Sequence, residues 1–282
     1  MPKIHPMAVV ESGANLADDV IVGPFAYVGP HVTLGKGCKL HHHAQIEGHT
    51  TAGENNEFFP NSLVGAVSQD LKYRGGNCRV LIGNNNTIRE NATIHIGTED
   101  GGGETRIGND NLIMVGAHIA HDCILGSDII LANNVLLAGH VLVEDHVVIS
   151  GGAASHHYVR FGQHSFIGGL TGVTRDVPPF MVFDGHPGIV RGINRNGLKR
   201  RGYSDEQLRA LKMAYRLLFS DTTPLTTQAV ELERMYPSNR EINILLTFLR
   251  ESANGKFGRY RETLRGKTAW EEDDTHPHVS GN

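Results

Sequence analysis

The sequence predicts a parallel β-helix followed by a small α-helical domain, and three observations carry that prediction. An aliphatic residue recurs at every sixth position through Ile4, Val10, Leu16, Val22, Val28, Leu34, Leu40 and Ile46. A small residue fills the slot four places later in each hexad, as at Ala8, Ala14, Ala26, Cys38 and Ala44. Toward the C-terminus the period changes, and Leu208, Leu211, Tyr215 and Leu218 trace one face of a helix. Hexapeptide periodicity makes each hexad one short strand and one corner, so neighbouring coils bury a continuous core that no hexad could bury alone.

The aliphatic series resumes at Ile82, Ile88 and Ile94 and runs from Ile107 to Val173. Cys38 and Cys123 fall in the small slot and read as core residues; three cysteines without a CxxC pair form no disulfide framework. The repeat resembles that of the left-handed hexapeptide-repeat acyltransferases. The resemblance implies triangular coils of three hexads and a left-handed parallel β-helix. At about 4.8 Å per coil, nine or ten coils would make a prism about 45 Å long.

Two insertions break the series, near Gly65–Val80 and near Gly97–Arg106, and long loops on a rigid scaffold are where function usually sits. Val177-Pro178-Pro179 must end the ladder, because proline cannot donate to it. A linker through Gly185, Pro187 and Gly188 is expected next. Ser204 with Gln207 then makes a capping box, Thr223-Pro224 opens a second helix, and Ser238 with Glu241 caps a third. The domains read as residues 1–190 for the β-helix, 191–262 for the helical part, and 263–282 for a flexible tail.

Gly (34) and His (17) are abundant in the 282 residues, while aromatics are scarce, as suits short regular strands. A net charge of −4 gives no sign of nucleic-acid binding, and no apolar run approaches a membrane span. A cytoplasmic protein without stable membrane insertion is expected.

The stretch Ile113–Cys123 contains His118, His121 and Asp122 in register with the repeat. His121 is third in its hexad and faces outward. One coil on, Gly139 lies over it, His140 shares that hexad, and His156 belongs to the hexad one coil further. Three histidines therefore share one face, with a glycine above the first. His5, His31, His41, His42, His43, His49, His146, His164, His276 and His278 read as ordinary surface histidines.

Two chemistries could use this face. In acyl transfer, a histidine takes a proton from a hydroxyl, Asp122 fixes its tautomer, and the Gly139 N–H receives the oxyanion. Zinc is the other, since carbonic anhydrases on this prism use three histidines, two as His-x₄-His. Five residues before His121 stands Gly116, so with His95 as a third ligand the second is missing. No metal or cofactor is therefore expected.

Five stretches resemble the UDP-N-acetylglucosamine O-acyltransferases that begin lipid A synthesis. They are Q-D-L-K-Y (69–73), H-I-A-H-D-C (118–123), L-A-N-N-V-L-L-A-G-H (131–140), R-D-V-P-P (175–179) and G-L-K-R-R-G (197–202). The resemblance implies transfer of a 3-hydroxyacyl chain from acyl carrier protein to the 3-hydroxyl of the UDP-sugar, without a covalent intermediate. His121 would be the general base, Asp122 its orienting partner, and Gly139 the oxyanion donor. Asp70, Lys72, His118, His140 and His156 would contact sugar and phosphates. Asn194, Arg200 and Arg201 would hold the nucleotide, partly from a neighbouring subunit of a homotrimer, and Gly169 would leave room for a long acyl chain. Asn196, His157, His186 and Gly116 depart from the family pattern and bear on the uracil and sugar contacts. Some relatives acylate a 3-amino analogue of the sugar, which stays open here.

Overall fold

The computed structural model describes residues 1–220, 225–256 and 258–259. Short strands, most of two residues, step around a triangular prism and stack into sheets of eleven, nine and eight strands, parallel except for the last strand of the eleven. Register is set by the repeat: Ile4 pairs with Val22, Val10 with Val28 and Leu16 with Leu34, each one full coil of a left-handed parallel β-helix apart. From the second coil onward the aliphatic and small slots are turned into the core. Val22, Leu34, Ile46, Ile119, Leu131 and Val143 are buried in one continuous core, with Cys38 and Cys123 among them.

Three inward slots break the small-residue pattern. Asn56, Asn86 and Asn111 lie buried above one another. The Asn86 amide donates to Asn56 Oδ1 (2.9 Å), the Asn111 N–H to Asn86 Oδ1 (3.0 Å), and the Ile129 N–H to Asn111 Oδ1 (2.8 Å). A buried amide is tolerated there because the coils above and below satisfy it.

The two insertions leave the prism at the same edge, between the nine-stranded and eight-stranded faces. Leu63 pairs with Thr93 and Thr93 with His118, steps of 30 and 25 residues where an uninterrupted coil has 18. The extra residues are extruded there and the ladder resumes in register on either side.

The expected linker after Pro179 is a β-hairpin instead. Met181–Gly185 pairs in parallel with Phe166–Ile167 and antiparallel with Gly188–Ile193, extending the eleven-stranded face. Alternating burial of Met181 and Phe183 supplies the apolar contacts that Gly185, Pro187 and Gly188 concealed in the sequence.

Among the described residues four helices follow: α1 (Arg195–Arg200), α2 (Asp205–Ser220), α3 (Leu225–Met235) and α4 (Arg240–Ala253). Ser204 and Gln207 form the expected capping box, the Ser204 N–H donating to Gln207 Oε1 (2.8 Å) and the Gln207 N–H to Ser204 Oγ (3.2 Å). The cap of α4 is Asn239 rather than Ser238, since Asn239 Oδ1 accepts from the Ile242 N–H at 3.0 Å. Glu241 instead accepts from the Gln207 side chain at 2.7 Å. Thr223-Pro224 and the expected tail 263–282 lie outside the described residues. Met181, Ala214, Leu232 and Leu246 form a second core that joins the hairpin to the helices.

Leu131 has no exposed surface, so Leu131→Ala should cost about 2–5 kcal/mol through lost burial and a residual cavity. The exposed Lys39→Ala should stay within about 0.5 kcal/mol of the parent. Equilibrium urea unfolding at matched protein concentration checks both.

Candidate active site

The edge that receives both insertions also carries His118, His121, Asp122, His140 and His156. Strand His118–Ile119 belongs to the nine-stranded face and strand Ile124–Leu125 to the eight-stranded face, so His121 and Asp122 form the corner between them. Asp122, His140 and Tyr158 occupy successive coils of this corner with φ of 60°, 63° and 64°. Asp tolerates this left-handed conformation better than most residues.

Asp122 is buried and accepts three hydrogen bonds. Its Oδ1 accepts the Thr98 N–H (2.9 Å), and its Oδ2 accepts the Thr98 hydroxyl (2.6 Å) and His121 Nδ1–H (2.8 Å). Burial favours the neutral acid, but the His121 and Thr98 hydrogen bonds outweigh it and hold the carboxyl below its ordinary range. An ionised Asp122 accepting from Nδ1 fixes the His121 tautomer and leaves Nε2 with its lone pair. That Nε2 lies 3.8 Å from Asp70 Oδ2, on the first insertion.

Two glycines make this packing possible. A Cβ on Gly101, in the second insertion, would come 2.1 Å from the Asp122 carboxylate. One on Gly139 would come 2.4–2.5 Å from His121 Cε1 and Nε2, so the ring lies directly against the main chain of the next coil. Among the described residues no acceptor takes the Gly139 N–H, whereas the His140 N–H donates to the His121 carbonyl at 3.0 Å.

Around this pair the other rings interlock. His140 meets His121 edge to face at 5.0 Å and stacks on Tyr158 at 4.4 Å. His118 Nδ1 bonds Thr93 Oγ1 at 2.8 Å, and its ring meets His95 at 4.9 Å. Burial, then the neighbouring His118 and His121, push His95 down to about 4; burial also lowers His118. The two insertions are tied together by Glu99, which accepts the Gly76 N–H (2.6 Å) and the Arg74 N–H (3.2 Å), while Arg74 pairs with Asp100 at 3.2 Å. Lys72 is exposed on the same loop, its N–H donating to Asp70 Oδ1 at 2.9 Å.

The remaining expected site residues lie on the other two edges. Arg201 is 3.9 Å from Asp128, and the Asn194 amide donates to the His164 carbonyl at 2.9 Å; Asp128 and His164 are corners between the eight- and eleven-stranded faces. Asn194 Oδ1 also caps α1 by accepting the Gly197 N–H at 3.1 Å, and Arg200 is exposed at the end of that helix. Gly169 turns the corner between the eleven- and nine-stranded faces, where an added Cβ would meet only the Gly151 carbonyl at 3.4 Å. Of the departures, His157 adjoins the edge that carries His121 and meets His156 edge to face at 5.4 Å. Asn196 is exposed in the first turn of α1.

His121, Asp122 and His140 offer ligand atoms within 4.8 Å of one another. The donor set is committed elsewhere, however: His121 Nδ1 and both Asp122 oxygens are held by the bonds described above, and His95 packs behind His118. Zinc bound through His121 Nδ1 would have to break the Thr98–Asp122–His121 chain.

Thr98, Thr93 and Tyr158 are site residues that the sequence reading missed. Tyr158 stands one coil above His140 and Thr93 pairs with His118, so counting in register would have found both. Thr98 lies in an insertion, outside the repeat, and no count reaches it.

A family model described as UDP-N-acetylglucosamine O-acyltransferase, domain 2, matches residues 176–257, and a bacterial transferase hexapeptide model matches 13–48 and 104–139. Among solved structures, LpxA from Acinetobacter baumannii is 41% identical, covering 88% of this chain and 97% of its own, with a TM-score of 0.86. The UDP-N-acetylglucosamine O-acyltransferase of Moraxella catarrhalis is 38% identical over 88% and 97%, with a TM-score of 0.85. The Arabidopsis UDP-N-acetylglucosamine acyltransferase is 36% identical over 88% and 96%, with a TM-score of 0.79.

Gly139→Ala should displace the His121 ring and lower turnover about 100-fold or more, with the β-sheet circular dichroism unchanged. Because His95 stays neutral when folded, protons bind the unfolded chain first. Stability should be full above an unfolded histidine pKa of 6.5 and fall as pH drops toward about 4. Thermal unfolding across that range should be steeper for the parent than for His95→Gln.

Proposed function

Because the chain belongs to the UDP-N-acetylglucosamine O-acyltransferase family, we propose that it moves a 3-hydroxyacyl chain from acyl carrier protein to the 3-hydroxyl of UDP-N-acetylglucosamine. That is the first step of lipid A biosynthesis. The observation that carries this reading is the Thr98–Asp122–His121 chain, with the His121 ring set against the Gly139 main chain of the next coil.

In this reaction His121 Nε2 takes the proton of the sugar hydroxyl as its oxygen attacks the thioester carbonyl carbon. Asp122 stabilises the imidazolium that forms. The carbonyl oxygen gains charge and accepts the Gly139 N–H. Collapse breaks the carbon–sulfur bond, and the imidazolium returns its proton to the departing thiolate. Proton and electron pairs balance without a covalent enzyme intermediate, a metal or a redox cofactor.

Asp70 and His140 lie beside His121, and with Lys72, His118 and His156 at the same edge they suit the sugar and its phosphates. Asn194, Arg200 and Arg201 suit the nucleotide and Gly169 the acyl chain, yet one chain presents these groups on three different edges. A homotrimer, in which an edge of one prism faces a different edge of its neighbour, would unite them. The described helices include none long and apolar enough to cross a membrane, and a carrier protein and a nucleotide sugar suit the cytoplasm.

The test incubates the purified protein with UDP-N-acetylglucosamine and 3-hydroxyacyl carrier proteins of graded chain length, with mass spectrometry of the product. The expected product is the 3-O-acylated nucleotide sugar. His121→Ala should lower its rate by about 10²–10⁴, the range of a general base, and Gly169→Met should favour shorter chains. A folded trimer inactive with every chain would overturn the acceptor assignment, and activity on the 3-amino sugar alone would replace it.

A further inference from the structure

The R-D-V-P-P stretch has no part in the chemistry above, although it is one of the five that carry the family resemblance. Asp176 within it is half-buried at the top of the prism, and its Oδ1 accepts two N–H groups at 2.9 Å, one from Arg160 and one from Arg259. Arg160 is in the last strand of the eight-stranded face, while Arg259 follows α4 and is 83 residues from Asp176 in sequence. One carboxylate oxygen thus clamps the chain beyond α4 onto the prism.

The residue before Arg259 shows how close this approach is. Gly258 is buried with φ +83°, and a Cβ there would lie 1.9 Å from Asp176 Oδ2. Glycine is required both by the backbone conformation and by the carboxylate against it.

The clamp aims Arg259 at the catalytic edge. Its Nη2 donates to His156 Nε2 at 3.3 Å, which makes that ring nitrogen an acceptor. The Arg259 charge acts on both His156 and His157, and His157 also feels His121 and Asp70. The Arg259 cation therefore stands in the same electrostatic neighbourhood as the base and the first insertion. A guanidinium beside an imidazole, held from behind by a main-chain anchor, is a pairing suited to phosphate oxygens.

We propose that Arg259 and His156 form a phosphate-binding subsite at the upper end of the catalytic edge, with Asp176 as the positioning residue that holds Arg259 there. The assignment rests on the acyl-transfer reading for the identity of its ligand. Both substrates of that reaction carry phosphate: the acceptor a diphosphate, the donor the phosphodiester of its pantetheine arm.

The first experiment needs no turnover. The protein, with histidine rings isotopically labelled, is titrated with inorganic pyrophosphate while the His156 ring resonance is followed. Pyrophosphate should shift that resonance, and Arg259→Gln should weaken the response about 10–100-fold, the size of one lost charge-assisted hydrogen bond. Asp176→Asn should weaken it in the same direction with Arg259 still present. Arg259→Lys keeps the charge without the planar fork and should fall between. An unresponsive His156 in the parent, or equal affinities for the parent, Arg259→Lys and Arg259→Gln, overturns the subsite.

Steady-state arms then identify the phosphate. A raised KM for UDP-N-acetylglucosamine in Arg259→Gln, with kcat held, assigns the acceptor diphosphate. A raised KM for the carrier protein, but not for an acyl-pantetheine thioester lacking phosphate, assigns the donor. Pyrophosphate binding at His156 in a protein that transfers no acyl chain would leave the subsite standing and remove the acyl-transfer reading. Normal transfer by Arg259→Gln with neither KM changed would do the reverse.

Discussion

The structure depends on one constraint: each residue of a regular coil must sit over its counterpart 18 positions away, so that main-chain bonds and inward side chains stack together. A slip of one residue would carry the aliphatic slot to the surface and empty the core. The insertions obey the same rule by being extruded whole at a corner, leaving Thr93 paired with His118 as though nothing intervened. The corner that absorbs them becomes the irregular edge of an otherwise uniform prism.

Buried polar side chains concentrate at that edge for a physical reason. A bare β-helix corner leaves outward side chains in water, where a histidine–aspartate pair would be loosely oriented. The second insertion folds over the corner, buries Asp122 and supplies both Thr98 donors, so the carboxylate stays ionised although it is out of water. Gly101 and Gly139 then remove the two Cβ atoms that would obstruct the carboxylate and the ring. The first insertion places Asp70 opposite Nε2, and Glu99 locks one loop to the other. Rigidity of this kind is what the proposed direct displacement would require, since in it no covalent intermediate would hold the reactants in place.

The helical domain extends the same logic. Its core is continuous with the hairpin through Met181, and Asp176 ties the chain beyond α4 back to the prism. Arg160 joins the two layers again through Glu144 and Glu251, with its guanidinium 4.3 Å from the Phe248 ring. The helices are therefore fastened to the uppermost coils, near His156, and not merely appended to the prism.

The sequence by itself determined the repeat, the core slots, the sites of the insertions and the shared face of His121, His140 and His156. All of these follow from a period that fixes where each side chain points. Tyr158 and Thr93 were within reach of the same counting. The hairpin at Met181–Ile193 was hidden because Gly and Pro at its turn outweigh its short alternation, and Asn239 displaced Ser238 as a cap because adjacent capping residues look alike in sequence. Thr98 against Asp122, Glu99 across the two loops and Arg259 beside His156 were decided only by tertiary structure. Each involves a segment outside the repeat, where no period relates position in the chain to position in space.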